Sequence, residues 1–240
     1  MATKSNFACA EELTLRVSDS IHQIGGGHES MPRFATRSLL APNLVARIAG
    51  RSLSLNAAED DSEINASATL TLDSEVGLHC DSTFHTEVCD LRRQGFRLCE
   101  ITGLTVDVPG TVAPLYVGAS MLHVCHLFAH RIQQATHALI HVKQEDEMHY
   151  VQGMGFSRVK ESTAAHGENS PTVLLIASSD FVQAQIQKKG GKGVEHSRLD
   201  ERTSRAKSLY PYFYAKDEAE GIHRRLSRFL TSLSAPRSIL

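Results

Sequence analysis

Leu13, Leu15 and Val17 alternate with Thr14 and Arg16, the period-two pattern of a strand with one buried face. Ala68, Leu70 and Leu72 repeat that pattern inside residues 64–72 and predict a second strand. Between them, residues 33–50 are expected to hold a helix, interrupted or restarted at Pro42. Asp81-Ser82 can cap a helix that runs to about Arg93 and stops at Gly95. The longest strand is expected over Phe96 to Val108. Its alternation changes phase between Glu100 and Gly103, and a phase change with a glycine points to a β-bulge.

Residues 114–135 read as a long apolar helix, 138–142 as a short buried strand, 145–153 as a helix and 156–159 as a strand. A polar loop over 161–170 leads to a buried strand at 173–177 and a helix over 179–188. Gly25-Gly26-Gly27 and the run Lys188 to Gly193 read as turns, because neither has the strand–loop–helix setting of a phosphate loop. A last helix is expected from about Asp217 to Leu233, after the aromatic cluster Tyr210, Tyr212, Phe213 and Tyr214. Interleaved strands and helices imply an α/β (α+β) fold, a mixed central sheet flanked by helices. The expected organisation is a flexible terminus over 1–10, one domain over 11–190 and a C-terminal helical extension over 191–240.

Composition narrows this picture without redirecting it. The 240 residues are 41% hydrophobic and 22% charged, ordinary globular usage that excludes a disordered chain or a coiled-coil rod. A formal net charge of -2 gives no general argument for a nucleic-acid or membrane-surface partner. Five cysteines without a CxxC pair fit reduced thiols in a cytoplasmic protein. Glu11 and Glu12 stand where a signal peptide would need apolar residues. Thr111 to His130 contains no Asp, Glu, Lys or Arg, but Pro114, Gly118 and three histidines favour a buried helix over a membrane span.

Two blocks carry more specific information. The first is Gly95-Phe96-Arg97-Leu98-Cys99-Glu100-Ile101-Thr102-Gly103-Leu104-Thr105-Val106-Asp107. The second is Ala138-Leu139-Ile140-His141-Val142, followed by Tyr150 and Gly153-Met154-Gly155-Phe156. Together, at this spacing, they resemble the fourth and fifth strands and the following helix of the GNAT acyltransferase fold. More narrowly they resemble FeeM-type long-chain N-acyl amino acid synthases, relatives of the acyl-homoserine lactone synthases. The likeness extends over about residues 12–187 through Ala68 to Ser74, Asp90 to Gly95 and Pro171 to Leu175.

The resemblance implies that an amine attacks a fatty-acyl thioester carried by acyl-carrier protein or coenzyme A, with no permanently bound cofactor. It places the pantetheine arm in a V-shaped opening between two strands, beside Thr102, Gly103 and Leu104, where a backbone N–H can polarise the thioester carbonyl. It makes Glu100 the candidate base and Tyr150 the candidate acid for the leaving thiolate. His141 and His149 are candidate substrate contacts, the latter as a substitute imidazole. The partners implied are acyl-carrier protein and a small amine. Arg92, Arg93, Arg97, Lys188, Lys189 and Lys192 are the candidate basic face for that carrier.

Several positions depart from the family pattern. Gly103 stands where the family usually has arginine, and Lys143-Gln144-Glu145-Asp146 replaces a basic, imidazole-bearing run. Pro109-Gly110-Thr111-Val112-Ala113 is a poor phosphate loop, which argues against simple acetyl transfer. Each candidate also has a plainer account. Glu100 can pair with a buried cation, Thr102 is a common strand residue, and Tyr150 can be a core tyrosine. His123, His126 and His130 share a helical face without a fourth ligand spaced nearby, so no metal is expected and packing is the simpler role. The aromatic cluster can cover an acyl groove or dock the last helix. Two functions therefore stand side by side: an N-acyltransferase, or a silent GNAT module that binds an acyl ligand, a carrier or a protein.

Overall fold

The computed structural model describes residues 11–15, 43–58, 65–107, 113–162, 171–192 and 208–234. Among these residues eight strands form one sheet: β1 (Glu11–Leu15), β2 (Asn43–Ala49), β3 (Ser52–Ala58), β4 (Asn65–Leu72), β5 (Leu98–Asp107), β6 (His137–Lys143), β7 (Ser157–Ser162) and β8 (Thr172–Ser178). Their order is β1-β2-β3-β4-β5-β6-β8-β7. Among the described residues β5 and β6 pair in parallel and the other neighbours are antiparallel. The helices are α1 (Asp81–Arg93), α2 (Ala113–His126), α3 (Glu147–Met154), α4 (Ser179–Lys189) and α5 (Lys216–Ser234).

The expected helix over 33–50 is corrected for 43–49, which form β2. Leu44, Ala46 and Ile48 are buried on one sheet face while Val45 and Arg47 take the other. That alternation is satisfied because β2 pairs with β1 and β3 on its two edges. The rest of the proposed helix, together with Val17 and Gly25–Gly27, lies outside the described residues. The strand β3 has no counterpart among the expected elements, although Leu53 and Leu55 alternate with Ser52, Ser54 and Asn56. Gly50, at φ +58°, makes the turn between the two strands. The long helix also ends differently: α2 continues over Leu127–Ile132 as a π-helix.

Two cores result. On one face, Leu53, Leu70, Ile101, Ile140 and Leu175 join Val117, Met121, Val124 and Phe128 of the long helix. On the other, Leu98, Leu139 and Leu174 pack beneath Phe84, Val88 and Leu91 of α1. The charge-free stretch is thereby explained: residues 116–125 are all buried, between the sheet and the C-terminal segment. No described helix is long and apolar enough to cross a membrane.

The aromatic cluster is buried against α2. Tyr212 meets Tyr116 edge-on at 5.0 Å, and Phe213 stacks on His123 at 5.0 Å. The Tyr214 N–H donates to His123 Nδ1 at 3.0 Å, and Tyr210 Oη–H donates to the Met154 carbonyl at 2.6 Å. These contacts bring in α5, whose Ala219, Ile222 and Leu226 are buried at helical spacing. His123 is thus a packing residue. His126 bonds Gln183 at 3.1 Å and stacks on His130. Among the described residues no group of histidine, cysteine and acid side chains is placed to hold a metal ion.

Removing the Tyr210 hydroxyl leaves the Met154 carbonyl without that donor in a buried setting. Tyr210→Phe is expected to cost about 1–2 kcal/mol, read as a lower urea midpoint with an unchanged slope.

Candidate active site

The phase change in the longest strand is a bulge. Ser67 pairs with Thr105 and Thr69 with Thr102, so Gly103 and Leu104 together oppose Ala68. Gly103 has φ +58°, a left-handed conformation that glycine adopts without Cβ strain. An arginine in that conformation would be strained. The bulge also turns the strand. Pairing of β5 with β6 ends at Ile101 and Ile140, yet β5 runs on to Asp107 and β6 to Lys143. The outer edges of both strands stay laddered, to β4 and to β8. A wedge therefore opens between β5 and β6 beyond Ile101, lined on one side by the backbone of Thr102, Gly103 and Leu104.

Glu100 stands one residue before this divergence, opposite Leu139. It has no solvent exposure. Burial pushes its carboxyl above the usual carboxylate range, opposed by N–H groups of Cys80 and His79 and by the nearby His79 ring. The Cys80 N–H lies 3.1 and 3.2 Å from the two carboxylate oxygens. The Cys80 thiol is buried and held in its neutral form by that burial and by Glu100. Cys99 faces the opposite core, where burial pushes its thiol up to about 12, so it is no nucleophile.

The amides around Glu100 come from the turn between β4 and α1. Leu78 N–H donates to Asp81 Oδ2 at 2.6 Å, and Asp81 binds Arg92 through both oxygens at 2.7 and 2.6 Å. Arg92 also clamps Asp73 at 2.7 and 2.8 Å. Arg92 is therefore committed to this turn, not to an exposed basic face. Arg93 pairs with Asp90 at 2.7 Å, while Arg97, Lys188 and Lys192 are exposed.

Of the other candidates, His141 shares the Glu100 face of the sheet: its ring meets Phe84 edge-on at 5.1 Å and lies 6.5 Å from His79. Thr102 is half-buried on the same face, by strand alternation. Leu104 packs instead against the core under α2. Tyr150 lies on α3 and packs against that same core, edge-on to Phe156 at 6.2 Å, so it belongs to the opposite sheet face from Glu100. Burial, and then Asp146, raise its phenol. His149 is exposed on α3. Glu147 in the acidic run is not an open anion. It pairs with the Arg158 guanidinium, Oε1 at 2.7 Å, which holds its carboxyl below the usual range. Residues 108–112, the departed phosphate loop, lie outside the described residues.

Sequence reasoning missed His79, Cys80 and the Asp73–Arg92–Asp81 cluster. Asp81 and Arg92 are eleven apart, three turns of one helix face, and that spacing was a readable signal. Nothing local marked Asp73 or the amides.

The family model for the N-acyl amino acid synthase FeeM matches residues 52–178, just over half of the chain. The chain belongs to the FeeM family of N-acyl amino acid synthases. It is accordingly an acyltransferase. Its mixed sheet, single parallel pair and splayed β5/β6 ends have the GNAT-like arrangement expected for that family. Among solved structures, FeeM from uncultured soil microbes is 18% identical, with a TM-score of 0.47 over 71% of this chain and 90% of FeeM. The CoA-dependent acyl-homoserine lactone synthase BjaI, solved with SAM and isopentyl-CoA, is 12% identical, with a TM-score of 0.39 over 72% and 74%. A spermidine N-acetyltransferase SpeG chimera of Vibrio cholerae and hSSAT is 8% identical, with a TM-score of 0.35 over 73% and 99%. No curated protein matches significantly.

The raised Glu100 carboxyl fixes a sign. Relative to the unfolded chain the fold favours the neutral form, so the contribution to stability is present below the ordinary glutamate value and is lost as pH rises through the raised one. Urea unfolding of the wild type and Glu100→Gln between about pH 4 and 8 should show the wild type losing ground to the variant as pH rises. Parallel profiles would show an unshifted carboxyl. Separately, Gly103→Ala should cost about 1–2 kcal/mol from its positive φ, read by the same unfolding measurement.

Proposed function

We propose that this acyltransferase moves a long fatty-acyl group from an acyl-carrier-protein thioester to the amine of an amino acid or related small molecule. The observation that carries the reading is a fully buried glutamate one residue from a wedge between two strands. The pantetheine arm lies in the wedge against the backbone of Thr102 to Leu104, and an N–H there polarises the thioester carbonyl. The neutral amine attacks the carbonyl carbon, and the C–N bond forms. Its surplus proton passes to Glu100, through water because the carboxylate is enclosed. Burial suits the carboxylate to this task by raising its proton affinity. The C–S bond then breaks, and the thiolate takes a proton from Tyr150, whose raised phenol is protonated at neutral pH. The two groups lie on opposite sheet faces, and the wedge is the passage between them. His141 and Thr102, on the Glu100 side, are the proposed acceptor contacts.

One observation favours the silent binding module: the Cys80 N–H reaches both Glu100 oxygens, as a purely structural latch would require. Thiol release separates the two readings. Acyl-carrier-protein and coenzyme A thioesters of several chain lengths, each with an amine pool, should give amine-dependent release and N-acyl product, faster from the carrier protein. Glu100→Gln should reduce turnover by about a hundredfold or more. Absence of product from every donor and amine would reject catalysis, and equal rates from the two donors would reject the carrier preference.

A further inference from the structure

The amides that meet Glu100 lie in neither sheet nor helix. They belong to the segment from Asp73 to Asp81, which crosses from the end of β4 to the start of α1. Within it the Gly77 N–H donates to the Ser74 carbonyl at 2.9 Å and the Asp81 N–H to the Leu78 carbonyl at 3.2 Å, while the His79 and Cys80 carbonyls accept from the first turn of α1. The Leu78 N–H finds a side chain instead, Asp81 Oδ2. Gly77, at φ +84°, lets that carboxylate approach; a Cβ there would sit 2.8 Å from the same oxygen.

Both ends of the segment are held by one side chain. Arg92 uses its Nε and Nη2 donors on Asp73 and its Nη1 and Nη2 donors on Asp81, four bonds of 2.6–2.8 Å. All three side chains are largely shielded from water, at 27%, 16% and 17% exposure. Asp73 is fixed in turn to β5, its N–H donating to the Leu98 carbonyl at 3.0 Å. A planar guanidinium between two carboxylates sets both distance and angle, which an ammonium cannot reproduce.

We propose that Arg92 is a positioning residue for the reaction: by clamping Asp73 and Asp81 it holds the turn whose backbone amides aim and charge the Glu100 carboxylate. The inference rests on Glu100 as the base and adds what sets its place and its proton affinity. Backbone donors favour the ionised carboxylate, and burial disfavours it. A loosened turn removes the first and leaves the second. The titratable groups that act on Glu100 are His79 and Cys80 on the turn; Asp81 at the start of α1 acts on Cys80, and His141 on β6 lies beside His79. Substituting Arg92 leaves His79, Cys80 and His141 their own partners but removes the guanidinium that holds the Asp81 carboxyl below its usual range.

The test compares the wild-type full chain with Arg92→Lys, Arg92→Met and Asp81→Asn, the last keeping an acceptor for Leu78 if an arginine variant fails to fold. Initial rates of thiol release against pH give kcat and the thioester KM, and carbon-13 NMR of labelled glutamate follows the Glu100 carboxyl without catalysis. Expected for the variants is a kcat about 10- to 100-fold lower, a thioester KM changed less than about threefold, and both the acidic limb and the carboxyl titration moved to higher pH. Arg92→Lys should not rescue. Folded variants with lower unfolding midpoints but wild-type kcat and an unmoved carboxyl titration would overturn the proposal and leave Arg92 purely structural. Glu100→Gln separates the two levels. If it keeps wild-type turnover, the base assignment fails, whereas the carboxyl titration still decides whether Arg92 controls Glu100.

Discussion

A carboxylate enclosed in a protein interior must be met by donors or lose its charge, and Glu100 imposes that condition on this fold. Its own strand cannot meet it, because the β5 backbone is already committed to β4 and β6. The donors come from the turn over the sheet, which must be held in one conformation. That requirement accounts for Gly77, for the carboxylate of Asp81 bent back onto Leu78, and for the guanidinium between Asp73 and Asp81. One buried charge thus organises the chain from the end of β4 to the last turn of α1.

The second constraint is geometric. Two residues opposing one at Gly103 and Leu104 cannot continue a regular ladder, and β5 turns away from β6. Backbone groups at the edge of a sheet ordinarily find a neighbouring strand; here they face a wedge beside the buried acid. Gly103 supports this through its positive φ. A larger residue at this position, an arginine included, would have to overcome that backbone strain.

The C-terminal segment answers a different need. The long helix α2 is apolar around its whole circumference, so the sheet alone cannot bury it. Tyr210 to Tyr214 and the buried positions of α5 supply the missing cover, with the His123 imidazole accepting the Tyr214 N–H in that layer. The three histidines that share a helical face are thereby accounted for: one accepts that N–H, one bonds Gln183, and the third stacks on its neighbour.

Local pattern determined much of this protein. Period-two alternation located β4 and β5, a continuous apolar run located β8, and a glycine at a phase change located the bulge. Helices are expected where α1, α4 and α5 lie, although α1 starts after Cys80 without the side-chain cap expected at Asp81-Ser82. Block spacing gave the family and, with it, Glu100 and Tyr150 as candidates. Where local signals conflicted the reading failed, as at residues 43–49, because whether an apolar face is read every second or every fourth residue depends on what lies across from it. Only tertiary structure decided that Arg92 faces Asp73 and Asp81, that Glu100 and Tyr150 occupy opposite faces, and that His79 and Cys80 present amides to the acid. Main-chain donors have no side-chain signature, and ion pairs between segments carry no periodicity. Both come into being only when the chain brings distant residues together.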